Sequence, residues 1–242
     1  MTRGGILMQK YWALLFVSTL SLMACAEFSQ VMQSGADAAG YNNQAQLVRG
    51  VKEALELGSG RAATQLSAPG GYSNSALYRI ELPESLQPIA SRLRQFGLGG
   101  QLDGVEALMN QGAEKAAIEA KAVLVDAVRN MTVTDALGIV RGHDTAATDY
   151  FRAQTEASLR SRYLPIIQSN LQRIGFYDQY QQLLSTYNQL PLANKPDLDL
   201  EQHVLKQSLD GLFRQIALEE QLIRDDPVGR GSAIIGSVFG GQ

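Results

Sequence analysis

A chain of 242 residues, 45% hydrophobic and 19% charged, has an ordinary globular composition and is long enough to bury a core as one domain. That composition argues against disorder over its whole length. Its formal charge of -3 gives it no electrostatic reason to seek nucleic acid or anionic lipid.

Arg3 and Lys10 precede an uncharged apolar run from Trp12 to Ala24, which is the pattern of a secretory signal peptide. The run falls short of the roughly 20 residues that a bilayer span needs. It ends in Leu22-Met23-Ala24-Cys25, which resembles the bacterial lipobox: a branched apolar residue, a tolerant position, a small residue before the cut, and the cysteine that is lipidated. The expectation is a signal peptide over 1–24, a lipidated Cys25, and a tether over 25–43. A free cysteine behind an ordinary signal peptide is the other reading. Two or more acyl chains anchor stably without a spanning helix. Ala26 stands where an aspartate would resemble an inner-membrane retention signal, which points to the outer membrane, on the leaflet facing the periplasm. Met8 is an alternative start to Met1. Cleavage removes Arg3 and Lys10, leaving 19 of the 21 basic groups against 24 acidic ones, a charge of -5. Lipidation of Cys25, the one cysteine, leaves no thiol for a disulfide, a metal or catalysis.

From Gln44 the positions Leu47, Val51, Ala54, Leu55, Gly58 and Ala62 recur at three- and four-residue steps, helical spacing for one buried face, until Pro69-Gly70-Gly71 breaks it. Leu77 to Leu82, before Pro83, reads as a short extended piece. Asp103 opens a long helix to about Asn130 whose stripe, Val105, Met109, Gly112, Ala116, Ala120, Val123 and Ala127, is mostly small and invites close approach by a neighbour. That places it at the centre of a bundle. Thr132 and Asp135 resemble a capping box for a short helix ending at Gly142, and Asp144 is placed to cap the next. This next helix, from about Thr145 to Tyr163, must stop or kink before Pro165, because proline lacks a backbone donor and clashes with the preceding turn. Ile166 to Ile174 then forms a shorter helix stopped by Gly175, followed by another over Asp178 to Asn188. After a loop, the last long helix begins at Asp199, with Gln202 in capping-box position, and runs to Asp226 before Pro227. Its stripe is Leu205, Leu209, Leu212, Ile216 and Ile223, flanked by Phe213. A glycine-rich tail closes the chain, and there is no fixed-period repeat. The fold expected is all-α, a single multi-helix bundle over 44–242, with an extended piece near 77–82 left open.

Several spread residues together resemble the domain-of-unknown-function 4197 family, from about Leu47 to Gly240. They are Leu82-Pro83, then Asn110, Ala113 and Glu114, then Met131-Thr132, Asp135-Ala136, Gly142, Ala146-Ala147-Thr148 and Tyr150-Phe151. Pro165 follows, then the run from Gly211 through Glu219, Glu220 and Arg224 to Pro227, and last Val238-Phe239-Gly240. The resemblance implies an exported helical domain of bacteria and carries no assigned activity. Glu81 departs from the pattern, where an apolar residue or proline is usual, and so does Gly112, where alanine is usual.

Glu219 and Glu220 are the most unusual feature of the periodicity. At about 100° per residue they fall on either side of the stripe centred near Ile216, at the border of the core. A carboxylate there must find a cation or several donors, or its pKa rises until it neutralises, which is how a general acid or base is made. Ion pairing is the structural reading. Glu220 to Arg224 has the favoured spacing, and Arg141, Arg162 or Arg79 is able to reach across. His143 and Asp144, with Ser or Thr nearby, invite a triad reading, but no nucleophile elbow accompanies them. The two histidines, His143 and His203, form no metal motif, and Gly229, Gly231 and Gly236 follow a helix, not the strand a phosphate loop needs.

Tyr150, Phe151, Tyr163, Phe176, Tyr177, Tyr180 and Tyr187 concentrate aromatic surface in one third of the chain, for the core or for a pocket. Ile234, Ile235, Val238 and Phe239 suit docking on the domain itself, on a partner or on the membrane. Two function readings follow. One is a non-catalytic, outer-membrane-tethered lipoprotein that binds an envelope protein or a hydrophobic ligand. The other is a periplasmic, hydrolase-like enzyme using Glu219 or Glu220, with Arg224, in a cleft. Neither implies a cofactor, a metal or nucleic acid.

Overall fold

The computed structural model describes residues 43–97, 99–173, 175–188 and 199–240. The expected signal peptide, Cys25 and, save Asn43, the tether lie outside these residues, as does most of the loop before Asp199. The chain divides into two compact units, Met1–Leu47 and Val48–Gln242, and the second holds the buried core.

All regular structure among the described residues is helical. Helix α1 covers 43–67 and ends at the Pro69-Gly70-Gly71 turn, where Gly70 takes a φ of 87°, in the left-handed region that glycine enters without strain. A 3₁₀ turn at Glu84–Leu86 leads into α2 (Gln87–Gln95), followed by α3 (Gly99–Ala117) and α4 (Ala120–Asn130). Next come α5 (Val133–Arg141), α6 (Ala146–Arg173) and α7 (Phe176–Asn188). The last two are α8 (Leu200–Asp225) and α9 (Ala233–Phe239). None of the described helices is long and apolar enough to cross a membrane.

Two expected boundaries are corrected. The helix expected from Asp103 to Asn130 is two, broken at Ile118 and Glu119, where the Glu119 N–H turns back three residues to the Ala116 carbonyl. The buried stripe continues across the break through Ala120, Val123, Leu124 and Val128, so periodicity alone does not reveal it. Conversely, α6 runs unbroken through Pro165, where a stop or kink is expected. Pro165 and Ser161, whose carbonyl loses its partner to the proline, both face water, while Tyr163, Ile167 and Leu171 keep the opposite face buried. With that length, α6 packs on α3, α4, α5, α7 and α8, and it shares the centre with α3, which packs on α2, α4, α6, α7 and α8.

Small residues set the closest approaches. A Cβ on Gly112 would lie 3.2 Å from Leu171 Cδ2, and one on Gly58 3.3 Å from Ile223 Cδ1, so α3 lies tight against α6 and α1 against α8. The tail expected to be a glycine-rich end instead contains α9. Ser232 caps it, Ile235 and Phe239 are buried, and its backbone approaches Gly50 of α1.

The expected extended piece forms no strand, although burial alternates along it: Tyr78, Ile80 and Leu82 point inward while Arg79 and Glu81 are exposed. Its backbone is held by side chains of α3. Asn110 Oδ1 accepts from the Ile80 N–H and Asn110 Nδ2 donates to the Ile80 carbonyl, both at 2.8 Å, as a neighbouring strand would. One turn earlier on α3, Glu106 accepts from the Leu82 N–H at 3.3 Å and pairs with Arg79 at 3.1 Å. One turn later, Glu114 Oε1 accepts from the N–H groups of Gly70, Tyr72 and Ser73 and from Ser73 Oγ. Buried backbone without such partners costs free energy, so this polar row shapes an otherwise irregular loop.

Candidate functional site

Helix α8 carries Glu219 and Glu220 into buried positions, 6% and 8% exposed, as its apolar stripe dictates. Their roles then diverge. Glu220 reaches the start of α6, where the first-turn N–H groups have no partner within the helix. Its Oε1 accepts from the Ala147 N–H at 3.0 Å, and its Oε2 from the Thr148 N–H at 2.9 Å and the Thr148 hydroxyl at 2.8 Å. Arg224, one turn further along α8, donates to Oε1 at 2.8 Å and to the Ile139 carbonyl at 3.1 Å. A negative charge at the positive end of a helix is favourably placed, and the arginine balances it. Asp144, expected to cap this helix, lies exposed outside it. The cap comes from another helix.

Glu219 lies in a polar chain between α1 and α8. The Tyr78 hydroxyl donates to Gln215 Oε1 at 2.6 Å, and Gln215 Nε2 donates to Gln65 Oε1 at 3.1 Å and to Glu219 Oε1 at 3.3 Å. Glu219 Oε2 is buried with no hydrogen-bond partner among the described residues, and Arg61 Nη1 stands 3.9 Å away. Burial raises the Tyr78 phenol above its ordinary value; the Arg214 charge opposes this and the Glu219 charge adds to it. The arginines expected to reach these acids do not: Arg79 pairs with Glu106, and Arg141 and Arg162 are exposed.

Beside Glu220 and Arg224 an apolar cavity of about 30 Å³ lies among residues such as Ala54, Gly58, Phe151 and Phe239. A larger, polar cleft of about 480 Å³ opens between the Leu77–Arg79 turn, the first turns of α6 and the exposed side of α8. Arg79, Arg152 and Arg214 line it, together with Asp149 and Asp210. No sequence signal joins these three arginines, which come from three elements. Glu106, Asn110 and Glu114 were missed in the sequence, although their four-residue repeat beside the apolar stripe of α3 is the signal that marks them.

The ring of His143 meets Thr145 Oγ1 at 3.2 Å and Asp149 Oδ2 at 3.5 Å, not Asp144, and the His143 and Asp149 side chains are 70% and 61% exposed. Such a group is held too loosely by its surroundings to orient a nucleophile. His203 Nε2 meets the Glu81 carbonyl at 2.8 Å. Among the described residues no cluster of three or more His, Cys, Asp or Glu side chains is able to hold a metal. Phe151, Tyr163 and Phe176 are core residues; Tyr150, Tyr177 and Tyr180 are half-buried, and the side chain of Tyr187 lies outside those described. Tyr177 donates to Glu201; burial first, then this bond, pushes its phenol up to about 12.

These features define an all-α domain in which acids from one helix organise the backbone of another segment. The chain belongs to the DUF4197 family, proteins of unknown function, whose model matches residues 41–240. No curated protein and no solved structure matches it.

Proposed function

We propose that this protein is an envelope lipoprotein, anchored through an acylated Cys25 in the outer membrane and facing the periplasm, whose helical domain acts by binding and not by catalysis. The single observation behind the second half is Glu220. Five hydrogen bonds, from Ala147, Thr148 and Arg224, converge on its carboxylate, so it is committed to the fold and poorly placed to exchange a proton with a substrate. The first half rests on the lipobox-like Leu22-Met23-Ala24-Cys25 behind a charged, apolar leader. Mass spectrometry of the native protein tests it: the expected amino terminus is Cys25 carrying acyl chains, with Cys25→Ser protein lost from the membrane fraction. An unprocessed, unlipidated terminus refutes it.

A second reading, a hydrolase-like enzyme, is favoured by one atom, Glu219 Oε2, which is buried without a hydrogen bond among the described residues. Glu219→Gln separates the two. Loss of a cellular function at an unchanged melting temperature supports the enzyme, whereas retained function supports binding.

A further inference from the structure

We propose that the cleft between α6, α8 and the Leu77–Arg79 turn binds the phosphate group of a phosphate-bearing ligand. This rests on the binding reading above and supplies its ligand chemistry.

Three arginines line the cleft, and each is held by neighbouring groups of the fold. Arg79 Nη2 bonds Glu106 at 3.1 Å. Arg152 Nη1 lies 3.3 Å from Asp210 and 3.6 Å from Glu156, and its guanidinium carbon lies 4.4 Å from the centroid of the Phe213 ring. Arg214 Nη1 donates to the Leu77 carbonyl at 3.2 Å. A guanidinium presents five N–H donors in a rigid fork, so each of the three keeps donors that these contacts do not use. The groups are oriented before any ligand arrives, which lowers the entropy lost on binding.

Of the two carboxylates of the lining, Asp210 is paired with cations and Asp149 is exposed. Asp210 takes Lys206 Nζ at 3.0 Å as well as Arg152, and Asp149 faces His143. Arg214 makes no ion pair among the described residues, and its charge acts inside the cleft, where it opposes the burial that raises the Tyr78 phenol. Thr145 and Gln207 add a hydroxyl and an amide to the wall. A carboxylate has two oxygens and satisfies one fork, whereas the several oxygens of a phosphate group suit a cleft lined by arginines from three elements. At about 480 Å³ the cleft has the size of a small-molecule site.

The test uses the full chain purified in mild detergent. Inorganic phosphate and glycerophosphoglycerol, the deacylated headgroup of phosphatidylglycerol, are titrated separately, with sodium chloride at matched ionic strength as the control. Melting temperature and calorimetric heat are followed. The expected result is a saturable rise in melting temperature with one of the two phosphates and not with chloride. Arg214→Gln gives up one backbone contact in the fold and weakens the dissociation constant by about tenfold; Arg92→Gln, on the exposed face of α2, leaves it unchanged. A stronger response to inorganic phosphate assigns a free phosphate ligand, and a stronger response to the headgroup assigns a lipid. Shifts equal to those of chloride, or equal in wild type and Arg214→Gln, overturn the proposal. The Cys25 result is independent of this titration, so failure of one is distinguishable from failure of the other.

Discussion

Replacing Glu220 by glutamine keeps the size of the side chain and removes one acceptor and the charge. The new amide has one oxygen for two sets of donors. If the oxygen stays with Ala147 and Arg224, its N–H₂ faces the N–H of Thr148, and that buried donor is orphaned at about 1–3 kcal/mol. If the amide turns over, Arg224, whose side chain is 13% exposed, loses its partner, and breaking such a pair costs about 3–5 kcal/mol. The less costly orientation governs. With the weakened Arg224 contact added, the loss is about 3 kcal/mol, which lowers the melting temperature by about 6–12 °C in a domain of this size. Thermal unfolding followed by circular dichroism measures the total. Hydrogen exchange at the amides of Ala147 and Thr148 localises it, with faster exchange expected there before the rest of α6. A melting temperature within about 2 °C of wild type, with those amides still protected, refutes the idea that this acid caps α6.

Two tyrosines buried alike behave oppositely on loss of their hydroxyls. Tyr72→Phe removes a 2.7 Å bond to the Ser208 carbonyl and destabilises by about 1–2 kcal/mol, whereas Tyr163→Phe removes a buried hydroxyl without a partner among the described residues and is neutral or stabilising by urea unfolding. Gly211→Ala places a Cβ 2.8 Å from Cε1 of the fully buried Tyr72 ring and lowers stability by about 1–3 kcal/mol, measured the same way. The Asp135 carboxyl is held below its ordinary value of 3.8 by the backbone and hydroxyl of Thr132. A depressed carboxyl contributes its stability above the unfolded value and loses it as pH falls through the folded one. The difference in melting temperature between wild type and Asp135→Asn is therefore constant near neutrality and shrinks below about pH 4; a difference that grows with acid contradicts this. Burial raises the phenols of Tyr72 and Tyr163, so folding favours their neutral form and that contribution is lost at alkaline pH. Their tyrosinate absorbance is expected only with unfolding.

Local signals in the sequence were reliable where both partners lie within a turn of each other. Thr132 and Asp135 form the reciprocal box, Asp199 accepts from the Gln202 N–H, and Gly175 takes a φ of 75° between α6 and α7. The stripe on α8 placed both acids at buried positions because burial follows from the helical period. Their partners were not legible. Glu220 meets residues some seventy positions earlier in the chain, and Arg61, near Glu219, lies on α1. Pro165 misled because its effect depends on which side faces water, which is a tertiary fact. The cleft was invisible for the same reason, since Arg79, Arg152 and Arg214 share no spacing and meet only once α6 and α8 are packed.

The first and last helices of the domain touch where Gly50 leaves no room for a side chain: a Cβ there would stand 2.6 Å from Val238 Cγ2 and 3.1 Å from the Ile234 carbonyl. Gly50 and Val238 stand near opposite ends of the described sequence and side by side in space. The last helix thus closes the packing that the first begins, and a larger residue at Gly50 is felt at both ends of the described domain at once.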